Sequence, residues 1–374
     1  MKQLICISDA IWRTNPGRTQ ELISRLRGVE ILYFEPPVTI LARFLGKAGR
    51  RRIRAHRQPG RRLMAHLTVY ALPPIFPFAH RFSWIAKLNQ RKLAVYIEKK
   101  MRKHGFDRPT LWISTEAGAG LSEHLPFENL VYDCTTPSPG FRLSRAEQSL
   151  LNEADLVFAD QPNVVQQLSF LHPNVALIPD GVSYSRFSDL EENMLSFPKD
   201  MLAIPHPVFG CSEPIRQDTD LLPILFAART HPEWSFVFTG RVDPRPQVAL
   251  KKLSNAYLIV PKPQTDLAEY VRRFDVCISP LSSESETEST RIRMLEYLST
   301  GRPVVNCLHP GETQPYLDAM YGAYTPQEFV DACQAALEEE NPVLTRYRQE
   351  YAKAVDWELQ ASEAIRLLRV NGIL

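Results

Sequence analysis

The sequence predicts an α/β protein built from two Rossmann-like, doubly wound domains, and three observations carry that prediction. The 374 residues suffice for two domains with substantial cores, and 44% hydrophobic with 23% charged residues is a globular composition. Apolar runs of strand length alternate with stretches of helical periodicity, the rhythm of a parallel sheet whose strands are joined by helices. The runs fall into two series, separated by a proline-containing stretch from Ser183 to Pro207.

The first series is Leu4 to Ile7, Ile31 to Phe34, Thr110 to Ser114, Leu130 to Tyr132, Leu156 to Ala159 and Val175 to Ile178. The second is Phe209, Phe236 to Phe238, Ala256 to Val260, Val276 to Pro280 and Val304 to Cys307. These runs predict strands, so residues 1–185 and 186–356 are expected to form one domain each. Helical patterns near Pro326 to Glu339, Leu344 to Val355 and Trp357 to Arg369 follow, without a solenoid period. The apolar run at the N-terminus is too short for a signal peptide and reads as a first strand. The run from Leu67 to Ala79 is broken by Pro73, Pro74 and Pro77 and falls short of the roughly 20 residues a spanning helix needs. Secretion and a membrane span are therefore not expected. Cys6, Cys134, Cys211, Cys277, Cys307 and Cys333 lack C-x-x-C spacing and read as buried thiols of a reducing cytosol. A net charge of +2 selects no partner, because the basic charge is local.

The most informative segment is Glu288-Ser-Thr-Arg-Ile-Arg-Met-Leu-Glu296-Tyr-Leu-Ser-Thr-Gly301-Arg-Pro303-Val-Val. Ser289 or Thr290 caps a predicted helix, Ile292, Leu295 and Leu298 recur at helical spacing, Gly301 ends it and Pro303 forbids continuation. The free N–H groups and positive dipole at the start of such a helix favour an anion such as a diphosphate, and Arg291 and Arg293 add full charge. The plain alternative is an amphipathic helix carrying Arg293 and Glu296 as a surface pair.

Glutamates eight positions apart, the second leading into Tyr-Leu-Ser-Thr-Gly-Arg-Pro-Val-Val, resemble the signature of retaining glycosyltransferases of the family-4 type (group 1). Glu153 to Asp160, Asn174 to Val182, His231 to Arg241, Phe274 to Pro280 and Asp356-Trp357-Glu358 extend the resemblance over most of the chain. It implies the GT-B architecture, two Rossmann-like domains facing a cleft, with the helix over residues 357–374 crossing back onto the N-terminal, acceptor-side domain. It also implies that Glu288 meets the transferred sugar and Glu296 the ribose of the nucleotide, while Arg293, supported by Arg291, contacts phosphate. Val131-Tyr132-Asp133-Cys134 and the loop from Trp12 to Gln20 are closest in flavour to enzymes of teichuronic acid and exopolysaccharide biosynthesis, although the stretch Thr135 to Gly140 departs from that group's further acids.

Asp133 is the N-domain carboxylate expected at a strand end, or else a loop cap. In the loop after the first strand the resemblance points to Arg18 as a ligand of donor or acceptor phosphate, with a simple surface loop before a helix as the alternative; Asp9 is a separate candidate for orienting an acceptor hydroxyl. The Arg and Lys that neutralise the leaving diphosphate in many family members have drifted here, leaving Arg216 and Arg241 as candidates by position. From Arg43 to Arg62 the chain is basic and partly amphipathic, and Arg50, Arg51, Arg52 and Arg54 are candidates for contact with a lipid phosphate or with anionic inner-leaflet lipids. The run from Leu67 to Phe82 is a candidate for dipping into the membrane interface, and a solvated basic insertion is the alternative. No nucleic-acid module frames the arginines, and no cluster has metal-ligand spacing, so neither nucleic acid, a metal nor a cofactor is expected.

The expected activity is metal-independent, retaining transfer of a hexose-type unit from a nucleoside-diphosphate sugar to a glycan or polyprenyl-diphosphate-linked acceptor, in cell-surface polysaccharide synthesis at the cytoplasmic membrane face. The competing expectation is a catalytically silent GT-B protein that binds sugar nucleotides or serves in assembly.

Overall fold

The structure is a computed structural model, and it describes residues 2–12, 16–79, 81–134, 143–188, 198–261, 264–280, 288–307 and 317–374. The chain divides into two compact units, Met1–Pro179 with Gln360–Leu374, and Asp180–Leu359.

The first unit runs β1 (Lys2–Ile7), α1 (Arg18–Arg25), β2 (Val29–Glu35), α2 (Gly46–Arg54), β3 (Arg61–Met64), β4 (Leu67–Ala71), α3 (Ser83–His104), β5 (Thr110–Ile113), β6 (Leu130–Cys134), α4 (Arg145–Glu153), β7 (Leu156–Ala159), α5 (Pro162–Ser169) and β8 (Val175–Leu177). Its sheet has the order β3-β4-β2-β1-β5-β6-β7-β8, parallel except for β3, which runs antiparallel to β4. Leu4, Ile5, Cys6 and Ile7 are all wholly buried, as a strand covered on both faces requires.

The second unit runs α6 (Tyr184–Ser188), β9 (Val208–Cys211), α7 (Leu222–Thr230), β10 (Ser235–Phe238), α8 (Pro244–Leu250), β11 (Ala256–Leu258), α9 (Gln264–Val271), β12 (Val276–Ser279), α10 (Glu288–Thr300), β13 (Val304–Cys307), β14 (Tyr321–Ala323), α11 (Pro326–Leu337) and α12 (Pro342–Ala354); the last helix, α13 (Trp357–Val370), belongs to the first unit from Gln360 onward. The parallel sheet has the order β11-β10-β9-β12-β13-β14. Alternation along the strands builds two cores. Val208, Val237, Cys277 and Val304 join one cluster, whereas their neighbours Phe209, Phe236, Ile278 and Val305 join the other. Gly210 lies where a Cβ would come within 2.0 Å of the Phe274 ring, so only glycine lets that ring pack on β9.

Two expectations change. Leu67–Ala71, expected as part of an interfacial run, is the core strand β4; Leu67, Val69 and Tyr70 are buried, and the Tyr70 ring stacks on Phe34 at 5.9 Å. Pairing with β2 takes up these apolar side chains, and only the segment beyond Pro73 remains at the surface. The second change concerns the connection between units. Gly181 serves a close approach, since a Cβ there would lie 2.6 Å from the Trp357 ring. Val182 N–H donates to the Val355 carbonyl at 3.2 Å and Trp357 N–H to the Val182 carbonyl at 3.0 Å, so the segment after Pro179 is bound into the second unit.

Candidate functional site

In an open parallel sheet, ligands bind beyond the carboxyl ends of the strands where the strand order reverses. In the second unit that place lies between β9 and β12. The loop after β12, residues 281–287, which includes Glu284 and Glu286, lies outside the described residues, as do the side chains of Glu288, Ser289 and Thr290. The helix itself begins at Glu288, so Ser289 and Thr290 occupy its first turn and not its cap. Gly301 closes it with φ +75, as the sequence requires.

From Met294 to Ser299 every residue of α10 is buried, which excludes an amphipathic surface helix. The wholly buried Tyr297 hydroxyl accepts hydrogen bonds from Ser212 N–H at 2.7 Å and Ser212 Oγ at 2.9 Å, tying α10 to the end of β9. Glu296, 1% exposed, is paired with Arg293 one turn before it. The pair exists, but inside the protein. Glu213, also 1% exposed, follows β9 and accepts from Ser279 Oγ at 2.8 Å. Burial raises the Tyr297 pKa, Cys211 and Glu213 raise it further and Arg293 opposes them, so Glu213 and Arg293 act electrostatically on the same hydroxyl.

Glu213 was not singled out from sequence; its signal was an acid directly after the strand, in Cys211-Ser-Glu213-Pro. The loop after β10 approaches it so closely that a Cβ on Gly240 would lie 2.1 Å from the Glu213 carbonyl oxygen. Thr239 Oγ1 and both polar side-chain atoms of Asn306 are buried without a partner among the described residues. This sheet edge thus carries hydrogen-bonding capacity that the described fold does not use. Arg216 and Arg241 lie on adjoining exposed loops joined by the Ile215–Val242 bridge, Arg241 with Asp243 at 3.4 Å. Arg291 stands differently from the expectation, because its guanidinium holds Asp180 at 2.7 Å and so fastens the connecting segment.

In the first unit the order reverses between β1 and β5. Asp9, just beyond β1, accepts from Ser8 Oγ at 3.3 Å and Ser114 Oγ at 3.5 Å. It opens to solvent on one side, yet protein surrounds its carboxyl closely enough that loss of water raises its pKa above the usual carboxylate range. Residues 13–15 of this loop lie outside the described residues. Arg18 and Asp133 are brought together: Arg18 Nη2 lies 3.1 Å from Asp133 Oδ1, with the two side chains 1% and 0% exposed. In this structure the pair ties the start of α1 to the end of β6, and neither group is open to solvent. Within the basic segment Arg50, Arg51 and Arg54 are exposed, whereas Arg52 turns inward and pairs with Glu35. For Arg18 and Asp133 the expectation is that Arg18→Met and Asp133→Asn each cost about 3–5 kcal/mol, because each removes an opposite charge from beside a buried one. Urea unfolding of both singles and the double variant checks it, and the double should cost clearly less than the singles added together.

Similarity to known proteins agrees with this geometry. Residues 220–339 match the family model described as glycosyl transferases group 1. No curated protein matches the chain by sequence. Among solved structures, sucrose-phosphate synthase from Thermosynechococcus elongatus superposes with a TM-score of 0.69 at 14% identity, covering 99% of this chain and 98% of that one. A trehalose-6-phosphate structure from E. coli bound with UDP-2-fluoro glucose gives 0.67 at 14% identity, covering 100% of both chains. Anabaena HepE in complex with UDP and glucose gives 0.61 at 14% identity, covering 99% of this chain and 100% of that one. Residues 220–339 thus match the glycosyl transferases group 1 model, in a chain whose fold is GT-B.

Proposed function

We propose that this protein transfers a hexose-type unit, with retention, from a uridine-diphosphate sugar to a glycan or lipid-linked acceptor. The observation that carries the reading is the Arg293–Glu296 pair on α10, inside the segment that matches the group 1 model, with Glu296 1% exposed and Arg293 and Glu213 both acting electrostatically on the Tyr297 hydroxyl. The donor class follows the structural neighbours, among them complexes with UDP, with UDP and glucose, and with UDP-2-fluoro glucose. Glu296 accepts the ribose hydroxyls, and Glu288 at the start of α10 meets the sugar. As the glycosidic bond opens, negative charge gathers on the diphosphate. Arg293, the N–H groups at the start of α10, and Arg216 and Arg241 on the neighbouring loops are the fixed positive groups that stabilise it, in place of a metal. Asp9 orients the acceptor hydroxyl.

The membrane face of this reading rests on one surface of the first unit. Phe44, Leu45 and Trp84 are 72%, 76% and 65% exposed, among Arg43, Lys47, Arg50, Arg54 and Lys87, which are exposed too. Hydrogen bonds between Ile40 N–H and the Ile75 carbonyl and between Phe76 N–H and Asn89 Oδ1 join the segments that carry them. Aromatic side chains set among cations suit the interface of an anionic bilayer. No helix among the described residues is long and apolar enough to cross a membrane.

Three measurements test this function. Glu296→Gln keeps the shape but loses a charge-assisted hydrogen bond, so the KM for the UDP-sugar should rise about ten- to hundredfold in a transfer or donor-hydrolysis assay. Wild-type protein that binds the nucleotide and turns over no acceptor would instead establish the silent sugar-nucleotide-binding or assembly protein. The raised Asp9 pKa keeps its carboxyl protonated to higher pH than usual. The acid limb of kcat/KM should therefore lie above the ordinary carboxylate value of about 4 and disappear in Asp9→Asn. Co-sedimentation with vesicles containing anionic lipid should fall severalfold in Phe44→Ser/Leu45→Ser; unchanged binding refutes the membrane face.

A further inference from the structure

A pocket of about 390 Å³ opens in the first unit beside the end of β2, its lining including Ile11 and Trp12 of the loop that carries Asp9. Its apolar lining includes Val69 and Ala71 of β4, and its polar lining comprises Glu35, Arg51, Arg52, Gln58 and Arg61, with Trp12 beside them. Glu35, 4% exposed, is the sole carboxylate among these lining residues and is already engaged: Arg61 Nη2 donates to Oε1 at 2.6 Å, Trp12 N–H to Oε1 at 3.2 Å, and Arg52 to Oε2. Arg52 also donates to the Pro36 carbonyl at 2.9 Å, while its Nε–H is buried without a partner among the described residues. Arg51 has no ion-pair or hydrogen-bond partner among the described residues. Three arginines therefore line the pocket with one carboxylate, which two of them already satisfy. The walls are held in place: the Tyr33 hydroxyl donates to the Ala10 carbonyl at 2.9 Å, and the Trp12 ring meets the Tyr33 ring edge-on at 4.8 Å.

We propose that this pocket binds a phosphoryl group, and that the acceptor which carries it is a sugar-sized phosphate. Planar guanidinium forks match phosphate oxygens, Glu35 positions two of the forks, and the volume is at the small end for ligand pockets, enough for one sugar ring with its phosphate. The second clause rests on the sugar-transfer reading above; the phosphoryl site itself does not. Arg52, expected as a membrane contact, becomes a wall of this site.

The test is calorimetric titration of the full-length protein with inorganic phosphate, a hexose 6-phosphate and UDP, together with sedimentation on vesicles containing phosphatidic acid. Wild type should bind the hexose phosphate more tightly than inorganic phosphate. Arg51→Gln and Arg61→Gln should each weaken it about tenfold or more while UDP binding is unchanged; Glu35 keeps Arg52 and Trp12 in Arg61→Gln, so the fold persists. Loss confined to the hexose phosphate assigns a soluble acceptor, and loss confined to the vesicles a lipid-borne phosphate; either supports the site. Equal affinity of wild type and both variants in both arms overturns it. Failure of UDP to bind wild type would sink the sugar-transfer reading while leaving this site standing.

Discussion

The hydroxyl of Tyr297 is the contact on which the placement of α10 in the second unit depends. It is wholly buried and accepts two hydrogen bonds from Ser212, one from the backbone and one from the side chain. Each is worth little net, but losing the hydroxyl would strand two buried donors, which makes the contact costly to break. Because the backbone of β9 takes part, α10 cannot rotate or slide without unmaking it. Arg293 and Glu296 lie within one turn of Tyr297, so their positions follow from the same anchor. A helix held in this way keeps its charged side chains in fixed positions, and under the proposed function they need no reorganisation as negative charge develops on the diphosphate.

The two units apply one rule with different residues. Parallel strands end at a common edge, and at that edge the second unit gathers Ser212, Glu213, Thr239, Ser279 and Asn306, all buried and polar. The first unit places Ser8, Asp9 and Ser114 at its own reversal point, and just beside them locks Arg18 to Asp133. Ion pairs as deep as that one seldom add stability over an apolar pair of the same shape. Its evident effect is geometric: the first residue of α1 is fixed to the end of β6, which sets where the loop carrying Asp9 re-enters the fold.

Charge in the first unit is sorted by direction. The arginines between Arg43 and Arg62 form a single run in the chain, yet Arg52 and Arg61 turn to Glu35 while Arg50 and Arg54 face solvent near exposed Phe44 and Leu45. One basic segment thus supplies both a pocket and a surface. The burial of Glu35 at the end of β2 makes the division, since a buried carboxylate draws in the cations that can reach it.

Much of this was legible in the sequence. Runs such as Leu156–Ala159 and Val304–Cys307 coincide with strands because a strand covered on both faces must be apolar throughout. Gly301 and Pro303 ended α10 through backbone constraints that act locally. β4 escaped notice because prolines follow it and arginines precede it, and only pairing with β2 makes it a core strand. Partners distant in the chain were also hidden: Arg18 with Asp133, Arg291 with Asp180, Ser212 with Tyr297. The sequence by itself determined the two-domain α/β class and the helix that carries the glutamates, because periodicity and helix-ending residues are local properties. Only the tertiary structure decided which charges face each other and which face solvent, because a guanidinium's partner is set by what the fold brings within about 3 Å of it, and chain spacing does not encode that distance.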